Sequence, residues 1–345
     1  MYPYDQHFCL SELPTSTMRR VILHIGRHKT GTTAIQRFLR KNGSLLAGHG
    51  FCYPDYGIRG FGHHEMGAPI TRGALSRSRD RAAEIIGGLR NGLDTVIEGQ
   101  GLPLVISSEA FQNCDPADVR ALFQGFDVEV VVYLREQVKY LLSAYAQKVQ
   151  ASDYSHTLEE FFLASSKSTY KEFLEDWERQ FPGRIRVKNY DRQELLSGNV
   201  VVDFCQTFLG VDGDVVAARC HETDANPSLT SDLLEFKLRV NQAEPLPAEQ
   251  SRILFNALAR LAVEDRSGSP RISEALACRV TRRYAESNRH IADNYFGRKV
   301  LFRPYSCTAA PAFETSLETR LNMIREKLIS ETPELAPYLP VMATS

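Results

Sequence analysis

Arg20-Val21-Ile22-Leu23-His24-Ile25-Gly26-Arg27-His28-Lys29-Thr30-Gly31-Thr32-Thr33 joins a short aliphatic run to a loop that carries two glycines. The run reads as a buried strand, and Ile35, Phe38, Leu39, Leu45 and Leu46 recur after it mostly at helical spacing. The local order is strand, glycine-bearing loop, helix. Such a junction is an anion site on physical grounds. The unpaired N–H groups of the first helical turn and the positive end of the helix dipole converge there.

Working outward, the same alternation repeats. Asp80 to Glu98 has helical periodicity, and Leu102-Pro103-Leu104-Val105-Ile106 then forms a buried strand ending at Ser107-Ser108-Glu109. Val128 to Leu134 is the clearest strand, and it runs through Arg135 into a helix with Val138, Leu141, Leu142, Tyr145 and Val149 on its apolar face. Ile185 to Tyr190 reads as a further strand before a helix over Val200 to Leu209. Near-continuous aliphatic strands alternating with helices signal a parallel sheet covered on both faces. Beyond Thr223 the pattern is helical only, over 229–242, 248–264, 271–294 and 314–330. The expected fold class is α/β: a P-loop-like parallel sheet flanked by helices, with a C-terminal helical addition. A polar leader (1–18), an α/β core (19–225) and a helical region packed on the core (226–345) are the expected divisions.

Composition narrows the functions. Among 345 residues, 41 Lys and Arg stand against 42 Asp and Glu, for a net charge of −1. That balance gives no bulk field for nucleic acid or an anionic membrane, so an anion must be held by a local site. No stretch reaches the ~18–20 consecutive apolar residues of a membrane span, and Met1 to Met18 lacks the apolar run of a signal peptide. The seven cysteines are scattered and none forms a C-x-x-C pair. This argues against a zinc site or a disulfide framework and for reduced thiols in a cytoplasmic protein.

Gly26 and Gly31 enclose four residues, the interval of the Walker loop G-x-x-x-x-G-K-[ST]. Here Thr32 follows the second glycine, the lysine lies inside the loop at Lys29, and Val128 to Leu134 ends in Arg135 rather than an acid that could hold Mg²⁺. A kinase or ATPase reading is weakened and stays as an alternative. Leu23 to Thr33 instead resembles the 5′-phosphosulfate loop of sulfotransferases that use 3′-phosphoadenosine 5′-phosphosulfate (PAPS). Val130-Val131-Val132-Tyr133-Leu134-Arg135 followed by Ser143-Ala144-Tyr145 resembles the strand-end arginine and later serine that hold the 3′-phosphate in that family. Lys188-Asn189-Tyr190-Asp191-Arg192-Gln193-Glu194-Leu195 is similar to its post-strand segment, and Asn226-Pro227-Ser228-Leu229 to the later part of its bacterial carbohydrate-type members. The late Arg-Lys-Gly segment with a following tryptophan is absent, the single tryptophan being Trp177.

The resemblance implies sulfonate transfer from PAPS, leaving PAP, to an acceptor hydroxyl of a saccharide or other small metabolite, with no metal and no nucleic-acid partner. It implies cofactor contacts from Arg27, His28, Lys29, Thr30, Gly31, Thr32, Thr33, Arg135, Ser143 and Tyr190. Lys29, a compact mobile cation, would assist the leaving group. The base is either Glu109, at a strand end, or one of His63 and His64 in Gly62-His63-His64-Glu65-Met66. A non-catalytic PAP-binding protein is the second alternative. Arg72, Arg77, Arg79 and Arg81 form a basic cluster suited to an acidic acceptor or simply to solvent. Ser107-Ser108 lacks the G-x-S-x-G elbow of a hydrolase nucleophile.

Overall fold

The computed structural model describes residues 19–76, 78, 81–165, 168–220, 229–306 and 315–342. The leader 1–18, Arg77, Arg79, the Asn226-Pro227-Ser228 segment, Cys9 and Cys307 lie outside the described residues. Strands β1 (Arg19–His24), β2 (Leu104–Ser107), β3 (Phe126–Leu134) and β4 (Ile185–Asn189) form one parallel sheet in the order β2-β1-β3-β4. The protein is therefore α/β, with helices flanking the sheet. Pairing runs from Val21↔Leu104 to His24↔Ser107 between β1 and β2, and from Arg19↔Phe126 to His24↔Val131 between β1 and β3. Strand β4 joins through Val130↔Ile185 to Leu134↔Asn189.

Alternation along the strands feeds two apolar layers. Val21, Leu23, Val130, Val132 and Leu134 pack with Phe111, Phe123, Trp177 and Phe181 on one face. Ile22, Val105, Val131 and Tyr133 pack with Ile35, Phe38, Leu39 and Phe204 on the other. Burial on both faces is why these strands read as unbroken aliphatic runs. Each such side chain taken fully from water contributes about 1.5–3 kcal/mol. The outer edge of β2 is covered, since Cys52 N donates to Pro103 O and Val105 N to Cys52 O, both at 2.8 Å.

From β1 the chain passes to β2 on one side and then to β3 on the other. The carboxyl ends of β1 and β3 thus flank the switch point at which open parallel sheets bind ligands.

Contacts divide the described residues into two compact units. One takes those within Met1–Arg135, Ser168–Thr223 and Glu286–Phe302 and holds the sheet; the other takes those within Glu136–Lys167, Asp224–Ala285 and Arg303–Ser345 and is helical. The division interleaves along the chain instead of falling near residue 225. Packing explains this. Tyr145, Ala146 and Val149 of the helix Gln137–Ala151 bury against Leu233, Phe236 and Leu258, whereas Ile291, Ala292 and Leu301 join the apolar layer of the sheet. The expected late helices form as Ser231–Gln242, Ala248–Glu264, Glu274–Phe296 and Leu317–Glu331. Among the described residues no helix is long and apolar enough to cross a membrane.

Within the helical unit, the end of Gln137–Ala151 is closed by two buried side chains of Ser231–Gln242. Asn241 Nδ2 donates to the carbonyls of Val149 (3.1 Å), Ser152 (3.1 Å) and Tyr154 (2.8 Å). Lys237 donates to Asn241 Oδ1 and, at 3.2 Å, to Ser152 O. Orphan carbonyls at a helix end need such donors, and a cation there also complements the dipole. Asn241→Ala is expected to destabilise this unit by about 1–3 kcal/mol. A calorimetric unfolding profile unchanged by the substitution would contradict the capping role.

Candidate functional site

The site begins where β1 ends. Ile25 N still donates to Val131 O at 3.1 Å, and Gly26, at φ +54°, then turns the chain out of the sheet. The loop is cross-tied by Thr30 Oγ1, which donates to Arg27 O at 2.6 Å, and more weakly by Thr32 Oγ1 at 3.4 Å. Lys29 takes the left-handed conformation at φ +66°, unusual for a residue with a side chain. Gly31, at φ +75°, is the N-cap of the helix Thr32–Lys41, and no side chain caps that end. A Cβ on Gly31 would lie 2.7 Å from Val200 Cγ1 and 3.0 Å from Tyr190 Cε2, so glycine is required by both torsion and space. Ala34 N donates to Gly31 O at 3.0 Å, which leaves the N–H groups of Thr32 and Thr33 as the first-turn donors suited to an anion.

Two expected cations meet over this loop. Arg135, at the end of β3, donates from Nη1 to Lys29 O at 2.8 Å, and its guanidinium stands 5.6 Å from the Tyr190 ring centroid. Burial, and then the charge of Arg135, lower the Lys29 pKa from its ordinary value. An anion set between the two would relieve both. Tyr190 is half-buried and touches both parts of the site, the Gly31 turn and the Arg135 side chain. Its strand is anchored on either side: Lys188 pairs with buried Asp203 at 2.9 Å, and Asn189 Nδ2 donates to Leu301 O at 2.7 Å.

The other expected residues of the loop differ in placement. Thr33 and His28 are exposed, and Thr30 and Thr32 are buried. The Arg27 guanidinium lies over the rings of Tyr170 (5.2 Å) and Phe173 (4.6 Å), with Nε buried and unpaired. Ser143 is half-buried on the helix Gln137–Ala151, which belongs to the helical unit. Of the basic cluster, Arg72 pairs with Asp176 and Arg81 with Glu84, a solvated arrangement.

Of the three candidate bases, His63 is corrected to a structural residue. It is fully buried, its Nδ1 accepts from Ser107 N at 3.1 Å, and its Nε2 donates to Pro54 O at 2.9 Å. Burial lowers its pKa to about 4. With both nitrogens engaged, it has no atom left for an acceptor hydroxyl. His64 is half-buried, and its Nδ1 lies 2.8 Å from Ser108 Oγ. Glu109 is half-buried beside Gly26, where a Cβ would come within 3.1 Å of the Glu109 Cα. Its Oε2 accepts from Gln36 Nε2 at 3.0 Å, and its charge acts on His28.

Three residues to which the sequence assigned no part in the site complete the interior wall. His24 Nδ1 is 2.9 Å from Ser107 Oγ, and Gln36 Nε2 is 3.3 Å from the same oxygen. All three are buried, and desolvation lowers the His24 pKa to about 4. Ser108 Oγ accepts from Ala110 N, so the Ser107-Ser108 pair serves architecture.

The arrangement presents backbone N–H donors, two adjacent cations, an aromatic face and one carboxylate at the switch point of the sheet. It fits a phosphate- or sulfate-bearing nucleotide in donor chemistry. No protein-family model matches the chain, and no curated protein is significantly similar to it.

His24 and His63 link the site to stability. Both fold with a pKa near 4, below the ordinary 6.5. The unfolded chain therefore binds more protons between these values, and stability present above pH ~6.5 is lost as pH falls toward 4. Each histidine contributes up to about 3 kcal/mol to that loss. His63→Gln, whose amide can still donate to Pro54, is expected to flatten the decline between about pH 6.5 and 4.5, where ordinary carboxylates remain ionised. Denaturant melts of equal pH slope for variant and parent would refute this.

Proposed function

We propose that this protein is a PAPS-dependent sulfotransferase acting on a hydroxyl of a saccharide or other small metabolite. The observation that carries the reading is the convergence of Lys29, Arg135 and Tyr190 on an uncapped, left-handed glycine turn at the sheet's switch point. When bound, PAPS supplies a sulfonate group on a phosphate leaving group. The free first-turn N–H groups and the exposed Thr33 hydroxyl hold the 5′ end, and Arg135 supplies a planar fork for a second phosphate. Tyr190 offers its ring to the nucleotide. Lys29 balances charge that grows on the leaving phosphate as transfer proceeds, by the electrostatics that govern phosphoryl transfer. Its lowered pKa also makes it a readier hydrogen-bond donor at that oxygen.

Glu109 is the base in this reading. It takes the proton of the attacking hydroxyl, since it stands against the first glycine of the loop and His63 is fully engaged. His64, hydrogen-bonded to Ser108, supports the wall beside it. The scattered thiols fit a cytoplasmic setting, and none of the five described cysteines forms a disulfide.

Calorimetry separates this reading from a kinase or ATPase. PAP is expected to bind tightly without Mg²⁺, and ATP·Mg²⁺ weakly; the reverse order would favour the nucleotide kinase. Lys29→Ala should abolish sulfur-35 transfer while weakening PAP only modestly, about tenfold, whereas full turnover by that variant would remove Lys29 from the reaction. Glu109→Gln should lower kcat by about a hundredfold or more, and His64→Asn by less than about tenfold. The opposite ranking would make His64 the base. PAP binding with no transfer to any of a panel of glycans, phenols and lipids would favour a non-catalytic PAP-binding protein.

A further inference from the structure

The Glu109 carboxylate is tethered by a side chain to which the proposed reaction gives no part. Gln36 sits on the helix Thr32–Lys41 and is 2% exposed. Its Nε2 lies 3.0 Å from Glu109 Oε2, 3.3 Å from Ser107 Oγ and 3.4 Å from Ser107 O. Carboxylate and carbonyl oxygens only accept, so the NH₂ end of the amide must be the one that faces them. The amide is also confined from behind: a Cβ on Gly62 would fall 2.6 Å from Gln36 Cδ and 2.7 Å from its Nε2. Ser107 passes the chain of contacts on to His24, whose Nδ1 is 2.9 Å from its hydroxyl. A buried string, His24–Ser107–Gln36–Glu109, thus ties the ends of β1 and β2 to one carboxylate oxygen.

We propose that Gln36 is a positioning residue for the transfer, its amide holding one oxygen of Glu109 so that the other faces the acceptor hydroxyl. The inference rests on the sulfotransferase reading with Glu109 as base. The physical need is clear. A glutamate has three rotatable bonds, and a base misplaced by about 1 Å forfeits much of its effect. Helix Thr32–Lys41 begins at the anion turn, so the same element that receives the donor also fixes the base. His24, His28 and Tyr53 are the other titratable groups on which the Glu109 charge acts, and the first two come from β1 and the loop itself.

The test is a double-mutant cycle read on PAPS hydrolysis, with water standing in for the acceptor. Water's oxygen bonds to sulfur, the bond from sulfur to the 5′-phosphate oxygen breaks with its electron pair going to PAP, and Glu109 takes the proton. Gln36→Met, which keeps length and removes the donor, should lower the rate about tenfold or more while PAP affinity by calorimetry stays within about twofold. In a Glu109→Gln background the same substitution should cost nothing further, because Gln36 acts only through Glu109. Should Gln36→Met not fold, Gly62→Ala displaces the amide without altering its chemistry, and the same loss at unchanged PAP affinity is expected. An undiminished rate in either folded variant overturns the proposal. So does an equal loss in the Glu109→Gln background, or a wild type that binds PAP yet hydrolyses PAPS no faster than buffer. A wild type that does not bind PAP at all instead defeats the sulfotransferase reading.

Discussion

A steric constraint at Gly31 holds the site together. The residue must adopt φ +75° to start the helix Thr32–Lys41 directly after the loop, and Val200 and Tyr190 close over the place where a Cβ would be. Because the turn is made by glycine and left uncapped, the donors of the first helical turn face outward from the sheet end. Because Tyr190 closes over it, the same contact brings the end of β4 against the loop, and the Arg135 guanidinium stands over that ring. One close approach therefore sets the anion turn, the aromatic face and the second cation in register.

The electrostatics follow from that geometry. Lys29 and Arg135 are like charges brought together in a partly desolvated place, an arrangement that costs free energy and that an anion would relieve. Around the loop, burial favours the neutral forms of His24 and His63, and Gln36 donates a hydrogen bond to Glu109. Lower on the sheet the pattern is ordinary, with Glu129 between Arg20 (3.0 Å) and Arg186 (2.7 Å). At the carboxyl end of β1, Lys29 and Arg135 stand close together with Glu109 nearby, a local grouping of charge in a chain that is nearly neutral as a whole.

The fold was legible in the sequence because its strands are buried on both faces. Val128–Leu134 and Val21–Ile25 announce themselves as aliphatic runs, and the structure moves the strand ends by only one or two residues. The helices Leu158–Ala164 and Tyr170–Gln180 escaped notice, although Thr157 with Glu160 and Thr169 with Glu172 form capping boxes whose spacing is visible in the sequence. The interleaving of the two units was not legible, since apolar helix faces carry no label of the partner they bury against. Lys29, Arg135 and Tyr190 enter the reading through the family resemblance, and the structure brings the three together around the Gly31 turn. His63 and His64 look alike in the sequence, and only the fold shows that His63 has both nitrogens bonded inside. Gln36 and His24 gave no signal, and Ser107 was weighed only as a nucleophile: their contacts join residues 71 and 83 positions apart in the chain.

The central claim is that the Gly26–Thr33 loop and Arg135 grip one doubly phosphorylated adenosine. A crystal structure with PAP tests it most directly. The account predicts the 5′-phosphate within hydrogen-bonding reach of the first-turn N–H groups and Lys29, with the 3′-phosphate on the Arg135 guanidinium. PAP bound elsewhere, or seated on the loop with Arg135 still turned to the Lys29 carbonyl and its 3′-phosphate in solvent, would contradict it.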